Sequence, residues 1–359
     1  MTQTNLVAVG TYTRTTSDGI YVCSFDWETG DLEPVASASG AENPSFLAVH
    51  PNGRWLYATS EIEEFEGERQ GALYAYTIDA DAGRLTLINV RGSGGAGPCH
   101  VSVDATGRYL LVANYHGGSV CVAPISDDGS LEALSCFIQH EGSSVNPDRQ
   151  EQAHAHSINL DAQNRFAYVP DLGQDKVVIY RLDLERGDLV ENDPAYVGTE
   201  PGAGPRHFDF HPNGRRAYVI NELGSTITGY EYDSDSGALT PFQTVGTLPP
   251  GFGRSNTTAD IHVHPSGRFV YGSNRGHDSV AIFSVDEETG RLTEVGHQST
   301  QGWTPRNFAI DPSGEFLLAA NQDTDTVVSF RIDGKSGALT PTGNVTEIPM
   351  PVCLRFLGE

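Results

Sequence analysis

The sequence predicts an all-β fold, a seven-bladed β-propeller with four antiparallel strands per blade, and three observations carry that prediction. First, an Asp- and Gly-rich turn closing on Gly-x-Leu recurs seven times: Gly30-Asp31-Leu32, Gly83-Arg84-Leu85, Gly129-Ser130-Leu131, Gly187-Asp188-Leu189, Gly237-Ala238-Leu239, Gly290-Arg291-Leu292 and Gly337-Ala338-Leu339. From Gly30 to Gly337 is 307 residues over six intervals, a mean period of about 51, which belongs to solenoids, propellers or arrays. Second, each copy holds four short β-patterned runs joined by turns, without helical periodicity. Third, the two ends of the chain complete one another.

In chain order, Leu6–Val9 matches the second strand of a repeat and Ile20–Phe25 the third, so the first blade lacks only its first strand. The copy from Pro205 to Thr244 shows the unit clearly. Arg206–Phe210 alternates, His211-Pro212-Asn213-Gly214 turns, and Arg216–Ile220 is a nearly continuous apolar run suited to a strand buried on both faces. Ser225–Tyr232 is the third strand and Leu239–Thr244 the fourth. The tail, Pro351–Phe356, parallels Pro305-Arg306-Asn307-Phe308 and supplies the missing strand. Pairing it with the N-terminal blade closes the ring and removes exposed sheet edges. An open β-solenoid is the alternative, disfavoured because it would need distinct capping repeats.

Residues 1–359 are therefore expected to form one propeller domain. No apolar run approaches the length of a membrane span, and the N-terminus lacks a signal-peptide pattern, so a cytoplasmic location is expected. Five scattered cysteines without CxxC spacing fit a reducing compartment and argue against a zinc site. A net charge of −25 excludes nucleic acid as a natural partner. Only Lys176 and Lys335 are lysines, a composition that fits a salt-rich habitat or a GC-rich genome.

Aligning the copies on the turn between their first two strands separates frame from site. Ser60, Asn114, Asp171, Asn221, Asn274 and Asn321 share one position at the end of the second strand, and a structural role bonding turn amides is expected. One residue on, the copies diverge into Glu61, Tyr115, Leu172, Glu222, Arg275 and Gln322. The starts of the first strands diverge too, as Ser45, Cys99, His156, Arg206, Ala259 and Arg306, with His100, His154, His207, Asp260 and His262 nearby. Both sets fall on one rim near the central channel, and positions that break a repeat are candidates for function. His50, His211 and His264 obey the repeat as His-Pro turn residues. His116, His140, His277 and His297 have no company and are expected on the surface, and His207, out of phase with Arg206, is expected to be packed.

The pair His154-x-His156 has metal-like spacing, with Asp171 or His100 as conceivable further ligands, but no acidic cage accompanies it and no metal is expected. Arg206, Arg275 and Arg306 are the sharper signal. Their planar, permanently charged forks match carboxylate or phosphate oxygens and imply a small anionic ligand, unless they are salt-bridged to Glu222 and Glu61. Without a nucleophile elbow or phosphate loop, any chemistry would be acid–base and electrostatic.

The stretches Gln152–Ser157, Val169–Val177, Gly204–His207, Tyr218–Leu223, Asp260–Phe269 and Gly272–Gly276 resemble signature stretches of the seven-bladed propeller lactonase family, which includes propeller-type 6-phosphogluconolactonases and a carboxy-muconate lactonizing enzyme. The resemblance runs essentially end to end. It implies a metal- and cofactor-independent lactone hydrolase of the pentose phosphate route acting on 6-phosphogluconolactone. Muconate cyclisation is the alternative, and a non-catalytic binding propeller a further one. The family's site of one histidine, two arginines and a glutamate maps onto Arg206, Glu222 and Arg275, with His154 or His156 as the histidine. His100, Asp260 and Arg306 are taken as substrate contacts, and a monomer or weak homo-oligomer is expected.

Overall fold

The computed structural model describes residues 5–358. Seven four-stranded antiparallel sheets follow one another around a central channel. Blade 1 joins Pro351–Phe356 to Leu6–Thr11, Ile20–Phe25 and Leu32–Ala38, as the chain ends require. Blades 2 to 7 begin at Leu47, Pro98, Asn159, Pro205, Thr257 and Pro305. Closure rests on antiparallel pairing of Val7 with Phe356 and Val9 with Leu354, and on edge-to-face packing of Phe25 against Phe356. Among the described residues, no helix is long and apolar enough to cross a membrane.

The core lies between blades rather than inside one. Second strands such as Arg216–Asn221 and Phe316–Asn321 are buried along their whole length, and each hydrophobic cluster draws on adjacent blades. The repeated Gly-x-Leu turn is a clasp between those blades. Gly237 and Gly337 both sit at φ +74°, and a Cβ there would meet Phe166 and Phe269 of the preceding blade at 2.6 and 2.5 Å. Their carbonyls accept hydrogen bonds from Tyr168 and Tyr271 at 2.8 and 2.9 Å. Glycine is needed here for conformation and for close approach together.

The His-Pro turns form a second clasp at the other end of the hairpins. Nδ1 of His211 and His264 accepts a backbone N–H two residues on, so Nε2 carries the proton and donates to Gly267 O and Gly314 O of the next blade at 2.8 and 2.9 Å. His50 does the same towards Gly107 O. The small polar position at the end of the second strand is structural, but not through turn amides. Asn114, Asn274 and Asn321 donate from Nδ2 to the carbonyls of Ser93, Thr247 and Thr300. Asp171, which cannot donate, is the exception and accepts from the backbone of His154 and Gln174.

His140 corrects the surface expectation. It is buried, with Nδ1 2.7 Å from Asp171 Oδ2 and Nε2 2.9 Å from the Tyr180 hydroxyl. His277 and His297 also have company, their rings lying edge to face at 5.5 Å.

Candidate functional site

The inner strands that carry the site are bulged at the residues that matter. Pairing skips from Pro205 to His207, from Pro305 to Asn307 and from Pro98 to His100, leaving Arg206, Arg306 and Cys99 as the extra residues. A bulge re-aims a side chain that a regular strand would send elsewhere. Here Arg206 reaches Glu222 and Arg306 lies over the Tyr12 ring, while the Cys99 thiol meets the carbonyls of Ala155 and His156.

Glu222 is the centre of the constellation. It is buried, and its carboxylate meets three guanidiniums: Oε2 lies 3.0 Å from Arg206 Nε and 2.9 Å from Arg275 Nη2, and Oε1 lies 2.6 Å from Arg149 Nη2. Burial alone would raise its pKa, but Arg275, Arg206 and Arg149 outweigh that and hold the carboxyl well below the usual range. Arg206 is fully buried and also donates to Ala259 O at 2.7 Å. Burial and the neighbouring Arg275 and Arg306 bring its pKa down to about 10. Arg275 donates to Thr258 O at 2.7 Å, while its buried Nε has no hydrogen-bond partner among the described residues.

The two candidate histidines separate. His156 Nε2 points at Glu222 Oε2 from 3.9 Å, whereas His154 places Nδ1 2.9 Å from Tyr115 O and Nε2 3.2 Å from Glu151. Their rings flank Tyr115, with His154 stacked on it at 4.5 Å and His156 edge-on at 5.1 Å. His156 thus belongs with Glu222, and His154 supports Tyr115, whose hydroxyl accepts from Arg149 at 3.2 Å. Burial, then Arg206, His207 and Arg306, push the His156 pKa well down, so the imidazole is neutral at physiological pH. Neither Asp171, engaged by His140, nor the divergent contacts of His154 and His156 give the pair a common metal position.

Arg306 joins the cluster from blade 7. Its guanidinium lies over the Tyr12 ring at 5.3 Å, and Tyr12 donates to Glu61 at 3.0–3.1 Å. Among the described residues the Arg306 guanidinium has no hydrogen bond or ion pair of its own. Four guanidiniums (Arg149, Arg206, Arg275, Arg306) therefore face two carboxylates (Glu222, Glu61), an excess of two positive charges at the mouth of an acidic protein's channel.

His100 and Asp260, expected at the substrate, lie one layer deeper. His100 packs its ring 4.1 Å from Phe46, and its Nδ1 accepts from Ile158 N. Asp260 is fully engaged: Oδ1 takes His207 Nδ1 at 2.7 Å and Ile261 N, and Oδ2 takes His262 Nε2, Asn307 Nδ2 and Phe308 N. A carboxylate so saturated ties the inner strands of three blades together and has no lone pair left for a ligand. His207 is packed, as its phase predicts.

Arg149 and Tyr115 complete the site and are the residues the repeat alignment did not assign. Tyr115 stood among the divergent positions but carried no role. Arg149 comes from residues 141–153, between blades 3 and 4 and outside any repeated frame. The signal available was the length of that excursion.

Several known proteins are similar to this chain along most of its length. A family model described as "Lactonase, 7-bladed beta-propeller" matches residues 6–356. A 6-phosphogluconolactonase of Bacillus subtilis is 39% identical over 351 residues, covering 98% of each chain. A 6-phosphogluconolactonase of Formosa agariphila is 36% identical over 84% of this chain and 85% of its own. The solved structure of a periplasmic gluconolactonase from Pseudomonas aeruginosa superposes with a TM-score of 0.92 at 37% identity, covering 98% of both chains.

Proposed function

We propose that this chain, which belongs to the seven-bladed β-propeller lactonase family, hydrolyses the lactone of an anionic sugar acid, with 6-phosphoglucono-δ-lactone as its substrate. The observation that carries the reading is the excess of two positive charges around Glu222, which matches a phosphomonoester dianion. Two groups await such a ligand: the unpartnered Arg275 Nε and the unpaired Arg306 guanidinium. A buried N–H without a partner is costly and points to one supplied from outside.

Water adds to the lactone carbonyl carbon, and Arg206 and Arg275 stabilise the oxyanion that develops there. The proton of that water passes to Glu222 or to neutral His156, the two acceptors facing each other across 3.9 Å. It then returns to the ring oxygen as the C–O bond breaks, giving hydroxy acid. Such ring opening needs no metal or cofactor. Residues 1–359 would act as one domain, monomeric or weakly self-associating, on a small substrate rather than on nucleic acid. A cytoplasmic location in a pentose phosphate route is part of the proposal, supported by five buried, unpaired cysteines.

The test compares 6-phosphoglucono-δ-lactone, glucono-δ-lactone and carboxy-muconate, each with and without chelator. Chelator-resistant hydrolysis of the phosphorylated lactone is expected. Turnover of muconate alone would replace the lactonase reading with the cyclase one.

A further inference from the structure

Glu222 is locked on both oxygens, and the two locks differ. On Oε2 the partners are the buried Arg206 and the largely buried Arg275, each also tied to a backbone carbonyl. On Oε1 the partner is Arg149, whose side chain is 38% exposed and whose other contact is the Tyr115 hydroxyl. The backbone around Arg149 is pinned. Ser144 donates to Asp175, Gln150 Nε2 donates to Leu172 O, and Gln152 Nε2 donates to His116 O. The movable part is therefore the Arg149 side chain, at the solvent side of the cluster.

We infer that Arg149 is the specificity-determining residue of this site: the anionic group of the substrate draws it from Glu222 Oε1, and the freed oxygen then takes the proton of the attacking water. The inference rests on the lactonase reading. Arg149 is suited to the exchange because it trades one anion for another at the edge of solvent, whereas Arg206 would leave a buried charge unpaired. The loss of one cation from Glu222 and the arrival of an anion nearby both favour its protonated form. In the step itself the water oxygen bonds to the lactone carbon, the water proton goes to Glu222 Oε1, and the ring C–O bond breaks. The leaving ring oxygen recovers that proton, and the new carboxylic acid releases its own to solvent. A neutral lactone leaves Arg149 in place and meets a blocked Glu222.

The experiment measures kcat/KM of the intact chain and its Arg149→Ala and Arg149→Lys variants on 6-phosphoglucono-δ-lactone and on glucono-δ-lactone, the latter with and without added inorganic phosphate. Arg149→Ala is expected to reduce the preference for the phosphorylated lactone by about 10–100-fold, the worth of one charge-assisted bond, in part by raising turnover of the neutral lactone, because Glu222 Oε1 is then no longer blocked. Inorganic phosphate should accelerate the neutral lactone with the native chain and not with Arg149→Ala. Arg149→Lys keeps the charge without the fork and should restore part of the preference, which also serves if the alanine variant melts early. Equal losses on both lactones, with the preference unmoved, would overturn the inference and leave the lactonase reading standing. Failure of the native chain to open either lactone would overturn both.

Discussion

Replacing Glu222 by Gln removes the one negative charge among three guanidiniums while keeping the side chain's shape. Glu222 is 3% exposed and Arg206 2%, so solvent screens little of the repulsion left behind; only the share due to the half-exposed Arg149 is discounted. Breaking a buried ion pair by removing one partner costs about 3–5 kcal/mol. For 359 residues, an unfolding entropy of about 2.1 cal/mol/K per residue gives about 0.75 kcal/mol/K, so the melting temperature should fall by about 4–7 °C. Scanning calorimetry with and without inorganic phosphate measures this. An anion binding among the three guanidiniums stabilises by mass action, so phosphate should raise the melting temperature of the variant more than that of the native chain. Turnover should fall by about 10² or more, since an amide cannot exchange a proton at neutral pH. An unchanged melting temperature with near-normal turnover would refute the reasoning. Glu222 would then merely orient an arginine, and His156 would stand alone as the base.

Three further outcomes are expected. His264→Ala should lose the Nε2 bond to Gly314 O and the Nδ1 acceptor, costing about 1–3 kcal/mol by thermal melting while leaving kcat/KM intact. Deleting residues 350–359 removes the strand paired with Leu6–Thr11 and should replace a cooperative melt with aggregation, whereas an unaltered melt would mean that the ring does not close this way. Burial, then Arg206, pushes the His207 pKa down to about 4 against the pull of Asp260, so the unfolded chain binds a proton that the folded one resists. His207's contribution to stability should be full above about pH 6.5 and lost as pH falls towards 4, by up to about 3 kcal/mol. His262, raised by Asp260, and Asp209, raised by burial to about 6, face the same cluster and titrate in the opposite sense. The effect is therefore read as the native melting curve against His207→Gln at pH 4.5 and pH 7.

Arg206→Ala shows where reasoning from the repeat alone falls short. Because Arg206 occupies a variable position, the sequence suggests that the frame does not need it. In the structure it is fully buried and bonded to Ala259 O of the next blade, so its loss should lower both turnover and melting temperature.

The sequence by itself determined the blade count and the closing strand, and it placed on one rim the candidate residues that gather around Glu222. A repeat forces equivalent residues to equivalent heights, and Gly-x-Leu can recur only where the same turn meets the same neighbour. It also singled out Arg206, Glu222 and Arg275 by departure from the repeat. What it could not determine is direction across the ring. A single bulge reverses the phase of an inner strand, which is why Arg206 reaches Glu222 while His207 and Asp260 form a sealed layer beneath. Distances between blades are likewise tertiary. Only the packed ring brings His156 rather than His154 to Glu222, buries His140 against Asp171, and lets Arg149, from a segment with no repeat equivalent, close the cluster from outside.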